Sequence, residues 1–221
     1  MEEAVTKVNF RAIVRAYDRY LERRAGDARL VGWRSEASQH RKFAEIAELF
    51  ADDGTAFSVY DVGCGLANLY DFLKQRYPLA TYKGCDIHPG MTERARLRNP
   101  KIDVECRDIL RSPPRAKYDY VVASGTFNLR LKTGKDRWEA YVKSMLRAFY
   151  GSAKRGIAVG FLSSLAENKE RREYYPSAPE LLDFAQRRLS PFAEIRHSGS
   201  PGHFALFVYR FARVLTGVPP E

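Results

Sequence analysis

The segment Asp61-Val62-Gly63-Cys64-Gly65-Leu66-Ala67 holds the residue types with the most chemical content in the chain. Gly63 lets the backbone turn sharply out of a strand, and Gly65, lacking a Cβ, admits a ligand close to the main chain. A glycine pair alone says little. Here it follows an alternating run, Phe57 to Val62, and precedes a helical pattern with Leu69, Leu73 and Tyr77 on one side. Asp86 ends the next strand, twenty-one residues after Gly65. At that spacing a carboxylate can receive the two ribose hydroxyls of an adenosine. The competing reading is a tight turn with an incidental aspartate.

The elements that must position this turn can be read along the chain. Val5, Val8, Ala12, Ile13, Ala16, Tyr17, Tyr20 and Leu21 recur at helical spacing. After a break marked by Gly26 and Gly32, a second helix is expected from an N-cap at Ser35, with Phe43, Ile46, Ala47 and Phe50 on one face. Strands are expected at 57–62, 82–86, 102–106, 118–123 and 157–162. Pro89 and Pro100 bound the helix after the second strand. Trp138, Tyr141, Val142, Met145, Leu146 and Phe149 form an i, i+3, i+4, i+7 stripe, which is core. Ser177 to Glu180 opens a helix through Leu189. Residues 192–197 and 204–211, joined by Ser198-Gly199-Ser200-Pro201-Gly202, read as a hairpin. This order predicts an α/β fold, a doubly wound, mostly parallel sheet of seven strands with a terminal antiparallel hairpin. A single domain over 1–221 is expected, with 1–52 a lid of N-terminal helices and 53–214 the core.

In these residues the chain resembles the class I S-adenosylmethionine (SAM)-dependent methyltransferase family, whose fold is Rossmann-like. The family's first motif, an acidic residue followed by G-x-G-x-G, reads here Asp61, Gly63, Gly65 and Ala67, with alanine in place of the third glycine. The dinucleotide fingerprint G-x-G-x-x-G would instead require glycine at Asn68. The likeness continues in Gly84-Cys85-Asp86-Ile87, in Cys106-Arg107-Asp108-Ile109 and in Tyr118 to Ser124, and spans about residues 35–212. It implies SAM as the methyl donor. Gly63, Cys64 and Gly65 would line its methionyl part, Asp61 would order that loop, and Asp86 would bind the ribose. Asp108 and the Ile109 backbone would meet the adenine edge, Ile87 its face, and Ser124 would sit beside the sulfonium. Asp108 could instead be a solvated strand-end residue. Trp33 and Gln39 would cover the cofactor, although Trp33 could equally anchor the core.

Ligands of open α/β sheets bind outside the carboxyl ends of the strands. An acceptor pocket is therefore expected from residues 124–128, from 163–175 and from the N-terminal helices. An antiparallel last strand begins at this edge, which makes His203 the candidate general base. A turn histidine without a role is the competing reading. Asn128 could orient the acceptor, with Phe127, Tyr174 and Tyr175 contacting it. The two tyrosines would serve equally well as packing.

The net charge of +10, from 37 basic and 27 acidic residues, raises RNA as a partner. The charges are spread along the chain, however, with only a modest cluster from Arg94 to Lys117. Three cysteines, Cys64, Cys85 and Cys106, make neither a disulfide framework nor a zinc motif. No His or carboxylate cluster suggests a metal. The longest apolar run, Gly156 to Leu162, is far short of the ~20 residues of a membrane span. With no signal segment visible, a cytoplasmic location is expected. Strand four ends in Ser-Gly-Thr-Phe and not in a Pro-Pro-aromatic motif, which argues against methylation of exocyclic base amines. The expected activity is methyl transfer from SAM to a small-molecule O, N or C acceptor. An RNA methyltransferase and a non-catalytic SAM-binding regulatory subunit are the alternatives.

Overall fold

A computed structural model describes residues 8–22, 26–50, 54–197 and 199–212. Val5 of the first helical stripe and Ser198 of the hairpin turn lie outside the described residues, as do both ends of the expected domain.

Helices start where the sequence supplies caps. The first, α1 (Phe10–Leu21), is capped by Asn9, whose Oδ1 accepts from the Ala12 amide at 3.1 Å. The break between Gly26 and Gly32 is not all loop: Asp27–Leu30 forms a single turn, α2. Helix α3 (Glu36–Ala47) begins at a reciprocal cap, where Ser35 Oγ accepts from the Ser38 amide and Ser38 Oγ accepts from the Ser35 amide. A 3-10 turn, Glu48–Phe50, follows it.

Strand β1 (Phe57–Val62) leads through the glycine turn into a short helix, α4 (Asn68–Leu73). Tyr77 lies beyond that helix and packs edge-on to Phe50. Next come β2 (Leu79–Asp86), α5 (Pro89–Arg98), β3 (Asp103–Cys106) and β4 (Tyr118–Ser124). The apolar stripe of 138–149 is the buried face of α6 (Lys135–Ser152), which runs directly into β5 (Ala153–Leu162). The chain closes with α7 (Ala178–Arg188), β6 (Ala193–Arg196) and β7 (His203–Tyr209).

The seven strands form one sheet in the order β3-β2-β1-β4-β5-β7-β6. β1 pairs in parallel with β2 and β4, whereas β7 runs antiparallel to both β5 and β6. The chain winds outward from β1 to β3, then returns to β4 on the other side. That reversal opens a crevice between the carboxyl ends of β1 and β4, where ligands of such sheets bind.

Alternation along the strands feeds two cores. Tyr60, Val62, Val121, Ala123, Ile157 and Leu206 pack against α6 and α7. Phe57, Val59, Val122, Ala158 and Phe207 face α3, α4 and α5 on the other side. Each large side chain fully buried in these layers contributes about 1.5–3 kcal/mol. A third, smaller cluster of Leu21, Leu30, Leu66 and Met91, joined by Tyr17 and Val31, seats α1 and α2 over the carboxyl edge. Polar contacts hold the same seat. Arg94 Nη1 donates to the Leu21 carbonyl at 3.3 Å, and Arg98 Nη1 lies 2.9 Å from Asp27 Oδ2. His88 Nε2 lies 3.1 Å from Asp18 Oδ1, without hydrogen-bond alignment.

Candidate active site

Gly63 (φ +76°) and Gly65 (φ +54°) take the left-handed region that glycine tolerates. The amides of Gly63 and Cys64 both donate to the Cys85 carbonyl, at 2.7 and 3.0 Å, which ties the turn to the end of β2. A Cβ on Gly63 would sit 2.5 Å from Thr126 Oγ1, and that hydroxyl donates to the Val62 carbonyl at 2.8 Å. The turn after β1 and the loop after β4 thus lock together, and a side chain at Gly63 would separate them. Ala67, where the resembled family has glycine, is also left-handed (φ +58°) and fully buried. A non-glycine residue there costs about 1–2 kcal/mol, which burial of its methyl in part offsets.

Asp86 ends β2 with both carboxylate oxygens engaged by main chain. Oδ2 accepts from the Gly65 amide and Oδ1 from the His88 amide, each at 2.9 Å. One lone pair remains on each oxygen, enough for two hydroxyl donors. Burial raises its pKa, against the pull of these two bonds. Asp61 is buried and accepts from the Tyr82 hydroxyl at 2.6 Å. Desolvation pushes its pKa up to about 7; the Tyr82 bond opposes this and the Asp86 charge adds to it. On β3's side, Asp108 Oδ1 accepts from the Leu110 amide at 3.0 Å, and Ile109 is buried.

These residues wall one cavity at the carboxyl edge. Gly63, Cys64, Gly65 and Asp61 form one side of it, and Asp86, Ile87, Asp108 and Ile109 another. Ser124 and Asn128 line it at the β4 end, and Trp33 and Gln39 are also part of its wall. Gln39 is held there by the Asn68 amide, which donates to its Oε1 at 2.9 Å. Ser124 Oγ and Asn128 Oδ1 are buried without a hydrogen-bond partner. Such groups are costly unless a ligand satisfies them. Spare lone pairs on Asp86, an open glycine turn and these two unpartnered atoms fit an adenosyl donor with a second molecule beside it.

Four expected contacts lie elsewhere. Phe127 is fully buried, stacked on Phe161 at 5.7 Å, and so belongs to the core. Tyr174 is buried in the same layer. The Tyr175 hydroxyl donates to Glu173 and accepts from the Glu170 amide, outside the cavity wall. His203 begins β7 opposite Leu162 of β5. β7 is two strands beyond β4, roughly 10 Å at the usual strand spacing, and His203 is not in the cavity wall. Burial, and then the nearby Lys42 charge, lower its pKa to about 4. Its imidazole is neutral and does not line the crevice, where the general-base expectation would place it.

Other wall residues were not singled out in the sequence: Tyr17 and Tyr20 of α1, and Leu129, Arg172 and Glu173 from the loops after β4 and β5. The tyrosines are part of the apolar stripe of α1, which reads as packing. The two loops are joined by a bridge between Leu129 and Glu173, and by the Tyr174 amide donating to the Asn128 carbonyl at 2.8 Å. Among the described residues, no group of three or more His, Cys, Asp or Glu side chains could hold a metal ion. No helix among them is long and apolar enough to cross a membrane.

The family profile of the methyltransferase domain matches residues 59–149. A protein of Mycobacterium tuberculosis classed as a methyltransferase is 31% identical over 157 residues, covering 69% of this chain and 92% of that protein. Among solved structures, the SAM-bound magnesium protoporphyrin IX methyltransferase of Synechocystis PCC 6803 superposes with a TM-score of 0.63 at 17% identity, over 92% of this chain and 98% of its own. The N-methyltransferase NodS of Bradyrhizobium japonicum WM9, in complex with S-adenosylhomocysteine, gives 0.63 at 14% identity, over 89% and 97%. At those identities the two structures speak for the fold. The mycobacterial match speaks for kinship, and by it the chain belongs to the class I SAM-dependent methyltransferase family.

Proposed function

We propose that this methyltransferase acts on a small-molecule acceptor bound under α1, beside Ser124 and Asn128. The observation that supports this most directly is the pair of buried, unpartnered atoms, Ser124 Oγ and Asn128 Oδ1, in the wall that also holds the donor residues. SAM, when bound, supplies a methyl group activated by its sulfonium. In this reading Asp86 holds the ribose, Asp108 and Ile109 the adenine, and the turn at Gly63 and Gly65 the methionyl part, which Asp61 orders. Trp33 and Gln39 exclude water from above, and alignment of donor and acceptor supplies most of the rate. The seat of α1 and α2 over the crevice favours a compact acceptor over a nucleic-acid strand. Three free cysteines, two of them buried, favour a reducing compartment, the cytoplasm.

A screen of small molecules against RNA, read as S-adenosylhomocysteine released by the purified chain, tests this. Turnover is expected with small molecules alone. Release that depends on RNA, with retention on RNA falling steeply with salt, would overturn the reading in favour of an RNA substrate. A complete lack of turnover, despite SAM binding, would favour a regulatory subunit.

A further inference from the structure

We propose that the acceptor is an amine, received by Glu173, Asn128 and the rings of Tyr17 and Tyr20. This rests on the small-molecule reading above and gives that molecule its chemical class.

The protein carries +10 overall, yet its cavity is acidic. Four carboxylates stand in the wall, Asp61, Asp86, Asp108 and Glu173. The two wall arginines are committed to carboxylates outside it. Arg107 Nε donates to Glu105 at 2.6 Å, and Arg172 Nε to Glu170 at 2.9 Å. Asp108 is paired in the same way, its Oδ2 3.5 Å from Arg111 Nε, and the charge left facing a ligand is still negative, which favours a cation and repels a carboxylate acceptor. Three of these acids belong to the donor half. Glu173 is the fourth, fixed beside Leu129 by the bridge between the two loops, with its Oε2 accepting from the Tyr175 hydroxyl and its other oxygen the one offered to a ligand.

The groups around Glu173 match the same chemistry. Asn128 Oδ1 is an acceptor without a donor, which an N–H would satisfy. Tyr17 and Tyr20 lie with ring centroids 5.7 Å apart, and aromatic faces attract ammonium groups. Tyr17 itself is no base: burial, and then the charge of Asp86, raise its pKa, with Tyr20 and Glu173 adding to the effect. The wall histidine, His88, caps α5, where its Nδ1 accepts from the Met91 amide, and its Nε2 lies 3.1 Å from Asp18 Oδ1. An amine suits such a site because its only obstacle to attack is its own ammonium proton. Glu173 takes that proton and passes it to solvent. The freed nitrogen lone pair forms the bond to the methyl carbon. The sulfur–methyl pair stays on sulfur, so the positive charge moves from sulfur to nitrogen and the thioether S-adenosylhomocysteine is left.

Two sets of shape-matched probes test the assignment: 2-phenylethylamine, 2-phenylethanol and 3-phenylpropanoate, then cyclohexylamine, cyclohexanol and cyclohexanecarboxylate. Their binding to the S-adenosylhomocysteine-loaded protein is measured by calorimetry, and methyl transfer to each by product mass. The amines are expected to bind at least about tenfold tighter than their partners and to be the members methylated. Glu173→Gln is expected to erase that advantage in a protein that still binds S-adenosylhomocysteine. Equal or tighter binding of the alcohols or carboxylates, no binding of either amine, or an amine advantage that survives Glu173→Gln would overturn the proposal. Methylation of a carboxylate or alcohol would sink the amine assignment and leave the small-molecule reading standing. Transfer to RNA alone would sink both.

Discussion

Asp86→Ala is expected to weaken SAM binding by about 1.5–3 kcal/mol, the scale of hydrogen bonds lost to a charged group. That is a fall in affinity on the order of 10–150-fold. The upper end is favoured by the second function of this carboxylate. Its two oxygens also receive the Gly65 and His88 amides, so alanine would release the glycine turn and the start of α5 together. Asp86→Asn keeps the shape and one acceptor oxygen, and is expected to recover part of the loss. Calorimetric titration with SAM reads both variants. An unchanged affinity in Asp86→Ala would mean that the ribose is held elsewhere.

The second large effect concerns Asp61 and trades stability against binding. Its folded pKa of about 7 stands above the usual carboxylate value, because burial disfavours the charge. Between roughly pH 4 and pH 7 the folded protein therefore holds a proton that the unfolded chain has released. Stability from this group is highest at the acid end of that window, declines as pH rises through it, and is level above about pH 7. Asp61→Asn removes the buried charge and keeps an oxygen for the Tyr82 hydroxyl. The ligand-free variant is expected to be more stable at pH 8 by an amount on the order of 1–3 kcal/mol, with the gain fading toward pH 4. SAM affinity is expected to fall in the same protein if, as proposed, the carboxylate orders the donor loop. Urea denaturation across this pH range checks the first part. A variant less stable than wild type at pH 8, or a gain that grows toward acid, would contradict it.

The strand, glycine turn and aspartate of the proposed donor site were legible because their signals are local. An alternating strand, a glycine turn and an aspartate one β-α unit later specify one geometry, and the short range between them leaves little for tertiary packing to change. Helix α6 was legible for a similar reason: its stripe has a single period and no competing polar face. The other side of the cavity was legible only as segments, 124–128, 163–175 and the N-terminal helices, and not by individual residue. That His203 begins an antiparallel strand at the carboxyl edge follows from topology. Where that strand lies across the sheet depends on pairing with β5 and β6, which no local pattern encodes. Phe127 and Tyr174 show the same limit, since apolar residues in a loop after a strand can face a ligand or the core. Glu173 entered the cavity through a bridge to Leu129, a contact between two loops more than forty residues apart. Ala67 was recognised as a departure from the family's glycine, but its left-handed backbone is visible only in the fold.

The central claim is that the cavity at the glycine turn is a SAM site and not a dinucleotide site. Thermal denaturation with saturating S-adenosylhomocysteine, and in parallel with NAD, tests it most directly. A ligand that binds only the folded state adds about 2.7 kcal/mol at a hundredfold excess over its Kd. A saturable rise in melting temperature is expected with S-adenosylhomocysteine, and none with NAD. A rise with NAD of the same size, or no response to S-adenosylhomocysteine, would contradict the account.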